Sequence, residues 1–326
     1  MLNINEFEKK QIIFVFLSSG EKVSFSNDNI VVKDADGKIK HQSTCYRLFA
    51  VFVVGHITVT SGLIQRAHKF GFSIIFMSHG MKVYDFIGGK MEGNVLLRKH
   101  QYGFEDPELG LAKHILENKI CNQRINISLQ RSKDEGQQMA INQIKHCEEM
   151  VSLYKGDLSG LLGIEGVAAR IYFKNYFNNV EWLGRKPRIK NDYVNSTLDI
   201  GYTILFNILD ALLNVYGFDT YCGILHRQFY MRKSLVCDFI EPFRILVDRQ
   251  VRKSINLGQC SIDDFDLVNH RYLLKWKKNN DYVKFLLEPI LNNRRALFLY
   301  VQTYYRSFMK QKNIKDYPVF TLEENV

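Results

Sequence analysis

The hydrophobic pattern changes its period about a third of the way along the chain, and that change limits the fold more than any single motif does. Before residue 106, apolar residues come in short β-branched and aromatic runs, at 11–16, 22–25, 30–33, 50–60, 73–77 and 82–87. Ser-Ser-Gly-Glu and Ser-Asn-Asp-Asn separate the first three. Such clusters make turns because their short polar side chains bond nearby backbone groups. Ser61 is placed to cap a short helix over 62–70, with Gly71 ending it in the left-handed conformation. From Asp106 onward, apolar residues recur at helical spacing, as in Leu111, Ile115, Leu116 and Ile120. Asp106-Pro107-Glu108 reads as an N-cap, a proline at the first helical position and a first-turn acid. Later helical runs are read at 137–154, 158–177, 195–216, 235–252, 265–278 and 282–312. The expected fold class is α+β. A β-sheet domain with one embedded helix occupies residues 1–95, a larger all-α domain occupies 96–326, and the two join over 90–105. No internal repeat of 20–50 residues is present.

Charge and cysteine usage narrow the function. The longest apolar stretch, 48–59, is interrupted by Gly55 and His56 and is too short to span a bilayer. The first ten residues are polar and lack a signal-peptide core. Six scattered cysteines include no C-x-x-C pair, which argues against a zinc ribbon or a disulfide framework and fits a reducing cytoplasm. The formal net charge is +10. Residues 268–315 hold eleven Lys and Arg against two carboxylates, and residues 168–190 hold six against Glu181. Each run alone reads as a solvated helix face. Aromatics threaded through 268–315 (Tyr272, Trp276, Tyr282, Tyr300, Tyr304, Tyr305) turn the expectation toward nucleic acid, since cations hold phosphates while aromatic faces stack on unpaired bases.

Three segments place polar residues in otherwise apolar text. In Gly163-Ile164-Glu165-Gly166-Val167-Ala168-Ala169-Arg170, two glycines inside a helix cost roughly 1 kcal/mol each against alanine, which suggests that another helix packs closely here. Glu165 in that setting needs an arginine, a proton or a metal. His226 closes the glycine-containing loop after Gly217. In Ser234–Arg244, helical spacing puts Asp238 and Glu241 on one face, with Pro242 placed to kink the helix. Taken singly, Glu165 reads as half of a buried salt bridge and His226 as a satisfied core histidine. Together, one imidazole and two or three carboxylates suit Mg²⁺ or Mn²⁺.

The ordered set of these segments is specific. Gly-Ile-Glu-Gly-x-Ala-Ala-Arg-x-Tyr-Phe from Gly163 is followed by Arg185-x-Pro187, Asp192-x-Val194-Asn195 and Leu198-x-x-Gly201-Tyr202. Then come Gly217-x-Asp219, Gly223-x-Leu225-His226, Ser234-Leu235-x-x-Asp238-x-x-Glu241-x-Phe243-Arg244 and Val247-Asp248. With Ser61-Gly62-Leu63-Ile64 and Gly71–Met77 upstream, this resembles the CRISPR-associated integrases of spacer acquisition, the Cas-one family, from about residue 11 to about residue 255. The last 70 residues carry no recognised signature.

The resemblance implies a metal-dependent DNA endonuclease and integrase of the prokaryotic cytoplasm. Its Mg²⁺ or Mn²⁺ would sit on Glu165, His226 and Glu241, with Asp238 as an auxiliary acid. A 3′-hydroxyl of a short DNA fragment would attack a phosphodiester at a repeat edge in the CRISPR array. Metal binding requires neutral His226, so activity is expected to fall as pH drops through the histidine range. Expected DNA contacts are Arg170, Arg185, Lys186, Arg188, Arg244, Lys275, Lys277 and Lys278. The implied partners are double-stranded DNA (protospacer and repeat), a second copy of the chain bound through the sheet domain, and a small Cas-two dimer, with no membrane. Two other readings remain open: a catalytically inactive double-stranded DNA-binding relative acting as a structural subunit, and a helical phosphohydrolase of small phosphoesters.

Overall fold

The computed structural model describes residues 2–88, 94–131, 133–180, 182, 184–227 and 229–322. Residues 90–93 of the expected join, and Glu181, lie outside these.

The N-terminal region is α1 (Ile4–Glu8), β1 (Gln11–Phe16), β2 (Lys22–Ser26), β3 (Asn29–Lys33), β4 (Ile39–Thr44), β5 (Leu48–Val54), α2 (Ser61–Phe70), β6 (Ser73–Met77) and β7 (Val83–Ile87). It holds two sheets. The strand order β1-β5-β6-β7 has its first three strands parallel and β7 antiparallel, while β2-β3-β4 is an antiparallel meander. β4 is too polar to read as a strand from sequence, because its side chains are largely exposed. The expected strand over 50–60 ends at Val54, where Gly55 takes a φ of 120° that few other residues adopt.

β5 reads as one unbroken apolar run because both of its faces are covered. Val51 and Val53 join Ile30, Ile74 and Phe76 in a small core under the meander and α2. Phe52 and Val54, pointing the other way, belong to the large core of the helical part. Phe7 stacks on Phe298 with ring centroids 5.0 Å apart, and Phe16 meets Trp276, so the sheet is packed firmly onto the helices.

The helical part comprises α3 (Val95–Tyr102), α4 (Gly110–Ser128), α5 (Glu135–Leu153), α6 (Leu158–Tyr176), α7 (Tyr193–Tyr216), α8 (Ser234–Ile240), α9 (Arg244–Asn256), α10 (Asn279–Asn292) and α11 (Arg294–Met309). α7 is long and apolar enough to cross a membrane by length and composition, but here it is the buried central helix around which the others pack. Asp106 caps α4 from further back than expected, accepting from the amides of Gly110, Leu111 and Ala112, so Pro107 sits in the preceding turn rather than in the helix. The six cysteines are free thiols.

Three expected helices are interrupted, each for a local reason. The 235–252 run splits into α8 and α9 around a single 3₁₀ turn, Glu241–Phe243, where Pro242 lacks a donor. The 282–312 run breaks at Asn293, whose side chain bonds the carbonyl of Pro289. The 265–278 run is not a helix: β8 (Phe265–Val268) and β9 (Arg271–Leu274) form a hairpin. Asn269 and His270 both have positive φ, as a two-residue type I′ turn demands, and this local preference outweighs the weak helical spacing. The second part is therefore helical with one short hairpin.

Close helix packing occurs at Gly201, not at Gly163 or Gly166. A Cβ on Gly201 of α7 would press into Val247 Cγ1 and lie 3.1 Å from Leu286 Cδ2, so α9 and α10 approach that point directly. Added Cβ atoms at Gly163 and Gly166 would meet nothing within 4 Å. The expectation of a helix packed against those two glycines is overturned, because they face open space. Gly163→Ala and Gly166→Ala should each raise stability, by about 0.5–1 kcal/mol from helix propensity. Gly201→Ala should lower it by about 1–3 kcal/mol through overpacking. Urea unfolding of the three variants checks this; equal effects at all three sites would contradict the packing described.

Candidate active site

Side chains from α4, α6, the loop after α7 and the α8–α9 junction meet at the floor of a cleft of about 2820 Å³. α4 reaches it with Lys119, one of a set of polar residues on its buried face that also includes Asn118, Asn122, Gln123 and Asn126. Asn122 donates to the carbonyl of Pro242, fastening α4 to the 3₁₀ turn that carries Glu241. The irregular C-terminal segment steadies α4 from behind, with Asn118 and Asn122 both donating to the Phe320 carbonyl.

Lys119 Nζ lies 2.5 Å from Glu165 Oε1 on α6 and 2.6 Å from Glu241 Oε2. Arg244 grips Glu241 with two bonds, Nε to Oε2 and Nη2 to Oε1, each 3.0 Å. Burial alone would raise the Glu241 carboxyl, but Arg244 and Lys119 outweigh it and hold that carboxyl well below the usual carboxylate range. Burial likewise works against the charge of Lys119, and Glu241 and Glu165 more than offset it, so the ammonium is favoured.

His226 is held by Asp238, which is completely buried. The Asp238 carboxylate accepts from the backbone amides of Ile224, Leu225 and His226, and from His226 Nδ1 at 2.7 Å. Burial pushes the Asp238 carboxyl up, against these bonds, which favour its ionised form. An ionised Asp238 accepts only, so the hydrogen of this bond sits on Nδ1, and Nε2 is the ring nitrogen directed away from the carboxylate. Nε2 lies 4.0 Å from Glu241 Oε1. Gly223 permits this turn: a Cβ there would meet Ser234 Cβ at 2.6 Å and the His226 carbonyl at 2.7 Å.

Among the described residues, no three His, Cys, Asp or Glu side chains are already gathered as a ligand cluster. The donor set nevertheless fits a hard divalent ion. Glu165 Oε1 and Glu241 Oε2 already share one cation between them, and ligands about 2.1 Å from a common ion lie about 3–4 Å apart, the separation of His226 Nε2 from Glu241. A histidine whose other nitrogen is fixed by a carboxylate is the usual form of a metal-binding imidazole.

The expected DNA-contacting residues divide. Arg170, Arg185, Lys186, Arg188 and Arg244 line the cleft; Lys275, Lys277 and Lys278 do not. Lys278 is paired with Asp264 at 2.8 Å, and Lys275 donates to the Asp263 carbonyl, so two of the three are engaged beside the hairpin. Arg185 is tied to Asp199 at 2.6 Å and to Asn195, whereas Arg170, Lys186 and Arg188 are exposed at the rim. Thirteen Lys and Arg line the cleft against six carboxylates, a field that draws in a polyanion.

Lys119, and structural roles for Tyr202 and Asp248, were not read from the sequence. The available signal for Lys119 was the polar stripe on an otherwise apolar helix face. Tyr202 lies under both Arg244 and Arg185, 4.7 and 5.2 Å from its ring centre. It bonds Asp248, which Tyr172 also reaches, at 3.1 Å. Burial pushes the Asp248 carboxyl up to about 6 despite these two phenolic bonds.

The profile of the family described as "CRISPR associated protein Cas1" matches residues 14–287. A protein of Thermodesulfovibrio yellowstonii named "CRISPR-associated endonuclease Cas1 1" is 28% identical over 281 residues, covering 81% of this chain and 87% of that one. A chain in a "Cas6-RT-Cas1--Cas2 complex" superimposes with a TM-score of 0.82 at 24% identity, over 97% of this chain and 36% of that longer one. A "Casposase bound to integration product" superimposes at 0.78 with 18% identity, over 96% of each chain. The last two likenesses establish shared fold.

The raised Asp248 carboxyl has a consequence for stability. Its value is higher folded than unfolded, so between about pH 4 and 6 the folded state holds the extra proton. The stability this group contributes is full below about pH 4 and is lost as pH rises through 6, by up to about 3 kcal/mol. Asp248→Asn should lack this component. Denaturant unfolding at pH 4.5 and pH 7 should show a smaller drop in the variant than in the native chain; identical drops would contradict the assignment.

Proposed function

The chain belongs to the family of CRISPR-associated Cas1 proteins, and from that premise we propose that it is a metal-dependent DNA endonuclease and integrase of spacer acquisition. The reaction is transesterification: a 3′-hydroxyl of a short DNA fragment attacks a phosphodiester at a repeat edge, and the leaving oxygen departs as the new 3′-hydroxyl. The observation that carries the proposal is the meeting of Glu165, His226 and Glu241, from three separate segments, on the floor of a cation-lined cleft.

These three side chains would hold Mg²⁺ or Mn²⁺. Such an ion, when bound, lowers the pKa of an attacking hydroxyl and neutralises charge on phosphorus. The protein's own groups do the rest. Asp238 orients the imidazole of His226. Arg244, resting on Tyr202, fixes both oxygens of Glu241. Arg170, Lys186 and Arg188 at the rim hold the DNA backbone and carry no sequence preference. No covalent protein–DNA intermediate is needed.

The partners follow the same reading: protospacer and repeat DNA, a second copy of the chain through the sheet region, and a small Cas2 dimer, as in the named Cas1–Cas2 complex. The setting is the prokaryotic cytoplasm. Division of labour between residues 1–95 and 96–326, the first for dimerisation and the second for catalysis, belongs to the proposal as well.

A strand-transfer assay on supercoiled array DNA with Mn²⁺ tests it. The native chain should join fragment to array. Glu165→Ala, His226→Ala and Glu241→Gln should each lose at least about 100-fold, on the order of 3 kcal/mol of barrier, and a chelator should abolish the reaction. Undiminished transfer by folded Glu165→Ala would overturn the assignment.

A further inference from the structure

The position assigned above to a divalent cation is taken by a cation that the chain supplies itself. Lys119 Nζ touches one oxygen of Glu165 and one of Glu241, at 2.5 and 2.6 Å, a little beyond the roughly 2.1 Å at which carboxylates hold Mg²⁺. We propose that Lys119 is an exchangeable placeholder: its ammonium keeps the two carboxylates together before a divalent ion arrives, and leaves them when one binds. This rests on Glu165 and Glu241 being ligands, as proposed above, and adds a function for a residue outside the ligand set.

Three features support the exchange. The first is exclusion. An ion close enough to ligate both oxygens takes the space the ammonium now fills, and two cations cannot share it without strong repulsion. The second is need. Glu241 has Arg244 as a second cation, but Lys119 is the one ion-pair partner of Glu165 among the described residues. Without Lys119, Glu165 would face Glu241 uncompensated, in a site where Glu241 is buried and charge is poorly solvated. The third is an exit. Lys119 lines the cleft beside Leu116 and Gln123 on the same face of α4. Rotation of its flexible stem can carry the ammonium into the cleft, where a DNA phosphate would lie. The charge that leaves the carboxylates is then available to the substrate.

Ion affinity in such a site is the outcome of a competition, so removing the competitor must strengthen ion binding even though it removes a structural ion pair. The test is a Mn²⁺ titration of the full chain without DNA, following free Mn²⁺ by electron paramagnetic resonance, with thermal unfolding measured in parallel. Lys119→Met should bind Mn²⁺ about tenfold more tightly than the native chain, because no ammonium has to be displaced from the two carboxylates. It should also unfold at lower temperature without metal and gain more than the native chain on adding Mn²⁺. Lys119→Arg, which keeps the positive charge, should stay close to native in affinity. Lys119→Gln, retaining a hydrogen-bond donor, is measured beside Lys119→Met so that a folding defect in one does not decide the matter. Unchanged or weaker Mn²⁺ binding in the folded uncharged variants, with binding still abolished by His226→Ala, would overturn the placeholder and leave the metal site standing. Absence of Mn²⁺ binding in every form, native included, would overturn the metal site and the placeholder with it.

Discussion

Charge that must be satisfied away from water organises the helical half of this molecule. Glu241 and Asp238, one helical turn apart, are both buried, and each needs partners that its own helix cannot supply. Asp238 draws the 224–226 backbone and the His226 ring around itself. Glu241 draws Lys119 from α4 and Arg244 from α9. Lys119 in turn reaches Glu165 on α6. Four segments distant in sequence are thus fixed by one network, and leaving any member of such a network unpaired costs several kcal/mol. The position of each catalytic candidate is a consequence of electrostatic closure rather than of any one helix geometry.

That network needs a rigid frame, which apolar packing supplies. α7 runs through the centre and is approached closely enough at Gly201 that no side chain fits there. The 3₁₀ turn at Pro242 turns Glu241 out of a continuous helix and exposes a carbonyl that Asn122 takes up. The C-terminal segment, for which the sequence offered no signature, completes the frame by bonding Asn118 and Asn122 of α4 through Phe320. The bare surface around Gly163 and Gly166 has the opposite character: small residues there leave the side of the cleft beside Glu165 open, so that a bulky polyanion can approach.

Much of this was legible in the chain, and the failures share a cause. β1, β3 and β6 follow from their apolar runs, because burial leaves a strong local pattern; α2 ends in left-handed Gly71 as expected, but Ser61 is its first residue rather than its cap, and Thr60 before it makes no capping bond. β4 did not, since an exposed strand has no apolar face to reveal it. The β8–β9 hairpin was read as helix because four-residue strands are too short to show a period, and Asn269-His270 is a weak turn signal. The glycines of α6 were misread because glycine is the same in sequence whether it admits a neighbouring helix or leaves a surface bare. The Lys275–Lys278 cluster looked like a free basic patch, yet two of its three lysines are bound to groups near Asp263 and Asp264.

By itself, the sequence determined the α+β class, the switch from strands to helices, and the identity of the polar residues set into apolar helices. These are properties of local pattern, which burial imposes residue by residue. Tertiary structure alone decided that Glu165 answers to Lys119, that Asp238 stands behind His226 while Glu241 stands before it, and that Tyr202 and Asp248 support Arg244. Those pairings join residues up to 46 positions apart, on different helices and loops. They are set by the approach of whole helices, and a charged side chain carries no mark in sequence of which distant partner will neutralise it.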